Sequence, residues 1–385
     1  VTSGGFSSKR LARLWDLLAR QVDSGFVPGA LVVLARKGHV HIAAVGNLAF
    51  EGAGSTTPMA ADTICRMASM SKPVVAACAM TLVEDCTLRL DDPVDDLLPE
   101  LTGMRVLADP YGPLDDTVAA NRSVTLRDLL TFTFGTGMVV AEAPIADALD
   151  AIGEPAPDEW MRRLGALPLV HQPGERWMYD TAADVTGVLI ARATGTSLDA
   201  AVRQRICEPL GMPDTGFSSE HLDRLATAYA RDEATGELVV DDRPDGRWSR
   251  PPLFESGGGG LVSTAADYLA FASALLAGGR ALSRPAVALM TTDQLTPAQK
   301  AVSGFWPGYF GAMGWGFGLS VRTRRTHLGP SVGSYGWPGY YGTVWYNDPV
   351  EDLTTILFMQ RAHAGDQRLP SSQDFWTTVY QAIDD

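Results

Sequence analysis

The sequence predicts an α/β protein: an antiparallel sheet flanked by helices, with a mostly helical domain inserted between the sheet's two parts. Three observations carry this. Strand-type apolar runs cluster towards both ends of the chain, at 30–45 and again after 312. The middle is dominated by segments with apolar residues at helical spacing. The 385 residues are long for one core and short for three domains. The expected organisation is a discontinuous sheet domain, 1–66 with 255–385, and a helical domain, 67–254.

Taken in order, residues 7–24 read as an amphipathic helix with Leu11, Leu14, Leu17, Leu18 and Val22 on one face, stopped by Gly25 and Pro28. Ala30 to Ala35 is a short apolar strand, Lys37-Gly38 a turn, and His39 to Val45 the returning strand. His39 and His41 share a strand face; with no third ligand near, they read as a solvated face and not a metal site. Residues 58–67 lead into an apolar helix ending near Glu84-Asp85. Leu88 to Val94 turns, and a loop-rich stretch follows. Ser123 to Thr131 opens a helix capped by Ser123 or Thr125 and broken at Gly135-Thr136-Gly137. Helices are expected at 157–165, 182–194, 197–207 and 219–226. The polar, Pro-rich 231–252 reads as an exposed excursion. Gly257 to Gly260 fails the phosphate-loop pattern, because no Lys-Ser/Thr follows, and reads as close backbone approach beside a cleft. Ala265 to Leu276 is helical, 315–321, 340–346 and 354–360 are strand-like, and a last helix covers about 371–383.

Charge narrows the function. A net −14 argues against nucleic acid and anionic membrane as partners, and leaves a small molecule. No apolar run approaches membrane-spanning length and Val1 to Gly5 is not a basic-then-apolar leader, so cytoplasmic is the expectation. Cys65, Cys78, Cys86 and Cys207 form no C-x-x-C pair and read as reduced.

The chemistry centres on Ser69-x-x-Lys72. Residues three apart on a helix share a face, so the lysine reaches the serine. A serine hydroxyl needs a base or a cation beside it to act as a nucleophile, and a helix start adds N–H groups and a positive dipole end. A capping serine and a solvated lysine would give the same four letters. The following helix, however, is apolar almost all round and hence buried, a costly place for a solvated charge. The second constellation is Tyr179-Asp180-Thr181 before a helix. A tyrosine beside Lys72 is favoured as phenolate, a usable base for Ser69 and, once protonated, an acid for the leaving group. The third is Trp337-Pro338-Gly339-Tyr340, where Gly339 allows close approach and the N–H groups of Ser69 and Tyr340 form an oxyanion hole. Trp337, Gly339, Thr181 and Phe134 are the expected substrate-binding residues. Gly329-Pro330-Ser331-Val332-Gly333 fits the lipase elbow pattern, but proline sits inside it and strand-like sequence follows; His171, His327 and His363 are its possible partners only by existing.

These motifs, in this order, resemble the serine hydrolases of the class C β-lactamase and penicillin-binding protein type. Ser69-x-x-Lys72 matches the nucleophile motif, Tyr179-Asp180-Thr181 stands at the usual Tyr-x-Asn, and Trp337-Pro338-Gly339 at the usual Lys-Thr-Gly. Weaker signposts agree: Leu129 to Thr133, Pro209 to Met212, Thr215 to Phe217 and Gly258 to Thr264. The resemblance spans nearly the whole chain and implies a β-lactamase-like fold and a two-step acyl transfer with no metal and no cofactor. The departures matter. Thr181 removes an amide, and Asp180 brings a carboxylate that either strengthens the lysine's charge or faces solvent. Trp337 removes the cation that meets a β-lactam carboxylate. Trp-x-Gly at this place is similar to the family VIII carboxylesterases, which implies hydrolysis of short-chain acyl esters. A β-lactamase or D-amino-acid peptidase or amidase on the same fold is the alternative. A non-enzymatic acyl-binding sensor is the third reading, against which the intact Ser-Lys-Tyr set argues.

Overall fold

In the computed structural model, which describes residues 4–139, 143–232, 234–362 and 370–385, a seven-stranded sheet is assembled from distant parts of the chain. Its strands are β1 (Gly29–Arg36), β2 (His39–Gly46), β3 (Met313–Trp315), β4 (Ser320–Arg322), β5 (Tyr335–Pro338), β6 (Val344–Asp348) and β7 (Leu353–Phe358). They lie in the order β2-β1-β7-β6-β5-β4-β3, every neighbour antiparallel. The β1–β2 turn holds Lys37 and Gly38 at φ 50° and 76°, the hairpin geometry whose twist matches the strands it joins.

Side-chain alternation sorts β1 into two cores. Ala30, Val32 and Leu34 face Leu11, Leu14 and Leu18 of α1 (Ser8–Asp23), and Phe375 and Val379 of the last helix, Pro370–Tyr380. Leu31 and Val33 join the larger core on the other side. That core is threaded by α2 (Ser71–Glu84), which is buried on every side from Ser71 to Leu82, as its largely apolar sequence requires. No helix of the described residues is long and apolar enough to cross a membrane.

Several expectations need correction. Residues 219–226 are not helical: Ile64 and Ala226 exchange backbone bonds with this stretch, Ile64 N–H to Arg224 O at 2.9 Å and Ala226 N–H to Ile64 O at 3.0 Å, which draws it out as a bridge. The 315–321 run is not one strand but the turn joining β3 to β4, bent where Gly316 N–H meets Leu319 O. The strand expected from 340 begins at Val344, because 339–342 makes a turn, and the last helix ends at Tyr380. The 231–252 stretch is not a loose excursion: Ala228–Arg231 and Leu238–Asp242 form a hairpin, and Trp248 is buried with its indole N–H on Gly260 O at 2.9 Å. Of the two possible caps, Thr125 is the one used. Its hydroxyl accepts from Asp128 N–H, and the Asp128 carboxylate accepts from Thr125 N–H, closing a capping box on the helix Leu126–Leu130.

Candidate active site

Ser69 lies in a tight turn, Ala68–Met70, that runs directly into α2. Ala68 has φ 45°, a left-handed conformation that costs a residue with a Cβ roughly 1–2 kcal/mol. Strain of that kind persists only where surrounding structure enforces it. Here the flanking Met67 N–H is tied to Leu261 O at 2.8 Å and Met70 O accepts from the Tyr268 hydroxyl at 2.9 Å. The result leaves Ser69 half-buried at the head of a buried helix.

Lys72, one turn on, is 1% exposed. Its Nζ donates to Ser69 Oγ at 3.0 Å and to Gly258 O at 2.6 Å, and lies 2.7 Å from Asp180 Oδ1. It also sits 4.5 Å from the centre of the Tyr179 ring. Burial works against the ammonium, but the Asp180 carboxylate, with Tyr179 and Asp184 behind it, outweighs burial and holds Lys72 above its ordinary value. Lys72 is therefore held as a cation against the Ser69 hydroxyl.

Asp180 leads into α3 (Thr181–Thr194), yet its carboxylate caps no N–H of that helix and is turned to Lys72 instead. Its backbone, φ 90° and ψ −79°, is the strained geometry that makes the turn possible. One helical turn further, Asp184 Oδ1 accepts from Ser256 Oγ at 2.7 Å and from Gly258 N–H at 2.9 Å. Burial first, and the Asp180 charge second, push the Asp184 carboxyl up to about 6. The Gly-rich stretch is thus pinned from both sides, its 258 N–H on Asp184 and its 258 carbonyl on Lys72.

Tyr179 is set in an aromatic cage: Trp337, Phe305, Trp177 and Phe132 lie 5.5, 5.2, 5.7 and 5.9 Å from its ring centre. Its phenol oxygen accepts from Trp337 Nε1 at 2.7 Å. Trp337 is only 5% exposed and packs edge-on to Trp315 at 4.6 Å, so its indole is a support for Tyr179 more than an open wall. Gly339 lies against the turn that carries Ser69: a Cβ there would come within 2.2 Å of both Met67 O and Thr343 Oγ1. Tyr340, next in the chain, is half-exposed, and Thr181 begins α3 half-buried. Phe134 is a correction. It is fully buried in the main core and lines no cleft, because the strained turn at Phe132 (φ 59°) folds this segment inwards.

Ser331 is built as a structural turn. It is 3% exposed, its hydroxyl accepts from Arg325 at 2.6 Å and its N–H is on Asp348 Oδ2 at 2.8 Å. His327 bonds Thr326, His171 lies beside Tyr179 in a separate cavity, and His363 falls outside the described residues. Asp184 and Ser256 were the residues that sequence reasoning missed. The available signal was the spacing of Asp180 and Asp184, four apart on one helix face.

A serine bonded to a buried lysine at a helix start, with a tyrosine ring against that lysine, is an arrangement that fits a serine hydrolase. The chain belongs to the beta-lactamase family, whose model matches residues 14–372. Esterase EstB of Burkholderia gladioli is 32% identical over 380 residues, spanning 92% of this chain and 91% of the relative. Monacolin J acid methylbutanoyltransferase of Aspergillus terreus is 30% identical over 348 residues, 85% and 83% of the two chains. Among solved structures, EstCE1, described as a hydrolase with promiscuous acyltransferase activity, superposes with a TM-score of 0.82 at 26% identity, covering 97% of this chain and 99% of the other.

Proposed function

We propose that this enzyme is a carboxylesterase that hydrolyses short-chain acyl esters through an acyl-enzyme on Ser69. The observation that carries the reading is the Lys72 ammonium, 3.0 Å from Ser69 Oγ and neutralised by Asp180 at 2.7 Å. With Lys72 held as a cation, Tyr179, whose ring lies against it, is the base that takes the serine proton. Ser69 Oγ bonds the acyl carbon, and the N–H groups of Ser69 and Tyr340 receive the oxyanion. The ester C–O bond then breaks, and Tyr179 returns the proton to the leaving alcohol. Water repeats the sequence to release the acid.

Trp337 and Asp180 together favour esters over β-lactams. A lysine at 337 would offer a carboxylate a charge-assisted bond of ~1.5–3 kcal/mol. An indole already bonded to Tyr179 offers none, and Asp180, 46% exposed, repels an anion close to the scissile bond. The names of EstB and of the methylbutanoyltransferase support ester and acyl-transfer chemistry in general. Transfer of the acyl group to an alcohol instead of water is the second outcome those names favour, and the same acyl-enzyme serves both.

The test is direct. A fluorophosphonate should label the peptide containing Ser69, and Ser69→Ala should remove both labelling and turnover. An adduct on Ser331 would sink the assignment. Short esters of acetate and butyrate should show kcat/KM far above those of penicillins and cephalosporins; equal efficiency on a cephalosporin would make the enzyme a β-lactamase.

A further inference from the structure

Beside Tyr179 lies a cavity of about 310 Å³, at the small end of the range for ligand pockets. Tyr179 forms part of its wall; Ser69 and Lys72 do not. Phe305, Met138, Val302 and Tyr111 line it while remaining 44%, 61%, 47% and 63% exposed, a concentration of large apolar groups at the surface beside a reactive centre. Trp177 is 4% exposed, and its indole N–H has no partner among the described residues. A buried donor left so is costly unless an acceptor arrives.

The cavity's charge is the telling feature. In a chain of net −14, no described carboxylate lines it, whereas Arg176 does. Arg176 is half-buried and makes no ion pair among the described residues. Its neighbour His171 is held below its usual value, by burial first and by the Arg176 charge second, so the imidazole is neutral and does not compete for an anion.

Tyr179 hands its proton to the departing oxygen, so the alcohol portion of the substrate must leave from beside Tyr179 and not from the oxyanion side. We infer that this cavity is the alcohol subsite, and that it selects esters whose alcohol is an apolar ring or branched body ending in a carboxylate or similar anion that Arg176 receives. This rests on the esterase reading. It reconciles two features that otherwise pull apart: the scissile end must be neutral, facing Asp180, while Arg176, a cation without an ion pair among the described residues, lines the cavity that Tyr179 borders. The bonds made and broken are those already given; the subsite adds binding, not a new step.

The experiment compares para-carboxybenzyl acetate with para-methylbenzyl acetate, equal in shape and acyl group. The native enzyme should favour the carboxylate by about tenfold or more in kcat/KM, the scale of one charge-assisted bond. Arg176→Gln should bring the ratio close to one, and Arg176→Lys should recover part of it. Phe305→Ala should slow both benzyl esters relative to ethyl acetate. A native preference for the methyl ester, or a ratio untouched by Arg176→Gln, overturns the subsite. Calorimetric titration of Ser69→Ala with para-(hydroxymethyl)benzoate separates this from the esterase reading. Binding that is lost on adding Arg176→Gln keeps the subsite even if no ester turns over; absence of binding removes it even if esters do.

Discussion

At the scale of single residues, the site is a chain of hydrogen bonds and one ion pair in which each member fixes the next. Asp184 holds Gly258, Gly258 holds Lys72, and Lys72 holds Ser69 and Asp180. In the proposed mechanism Lys72 and Tyr179 act as one proton-transfer unit. Lys72→Ala and Tyr179→Phe should each lower kcat/KM by ~10²-fold or more, with the double variant little worse than the poorer single. Strictly multiplicative losses in steady-state kinetics would separate them. Two shifts give the pH dependence. Lys72 is raised, so its ion pair contributes stability in full below its unfolded value near 10 and loses it only as pH rises through the higher folded value. Asp184 is also raised, so the fold favours its protonated form. That stability is complete below about pH 4 and is lost as pH climbs through about 6. Asp184→Asn should therefore flatten the change of Tm across this acid window in a series of thermal scans; an unchanged slope would mean that Asp184 does not titrate there. The contact of Lys72 with Ser69 was legible in the sequence because motif spacing and a buried helix locate it. Asp184 was hidden because its partner, Gly258, comes from a segment that only tertiary folding brings alongside.

At the scale of elements, the turn 339–342 must approach the Ser69 turn more closely than any side chain at 339 allows. Gly339→Ala forces Met67 and Thr343 apart. A misplacement near 1 Å costs ~10²-fold in rate, so kcat should fall by about that much, with a smaller change in Tm. A full-activity variant would show that this turn does not set the oxyanion geometry. Thr125→Ala removes one half of a capping box and should cost about 1 kcal/mol in urea unfolding. Helices were read well where the apolar period was long, as in α1 and α2. The failures have a common cause. At 219–226 the backbone bonds went to Ile64, and at 315–321 a glycine-bent turn lay inside an apolar run; in both, distant pairing overrode local pattern.

At the scale of the whole molecule, Arg66 ties the nucleophile segment to the 228–248 hairpin. It is wholly buried and pairs with Asp242, with Nε at 2.8 Å from Oδ2, and its guanidinium stacks on Trp248 at 5.3 Å. Removing one partner leaves the other charge stranded in the interior. Arg66→Ala should thus destabilise by about 3–5 kcal/mol, read from denaturant midpoints. A loss below 1 kcal/mol would show that water reaches the site. The sheet order has a consequence for how the chain is born. β1 is finished at Arg36, but its partner β7 opens only at Leu353. At the usual pace of synthesis, the inner edge of the β1–β2 hairpin waits on the order of tens of seconds for the strand that covers it. During that wait an apolar edge is open to any passing strand, the condition under which nascent chains cling to chaperones or to one another.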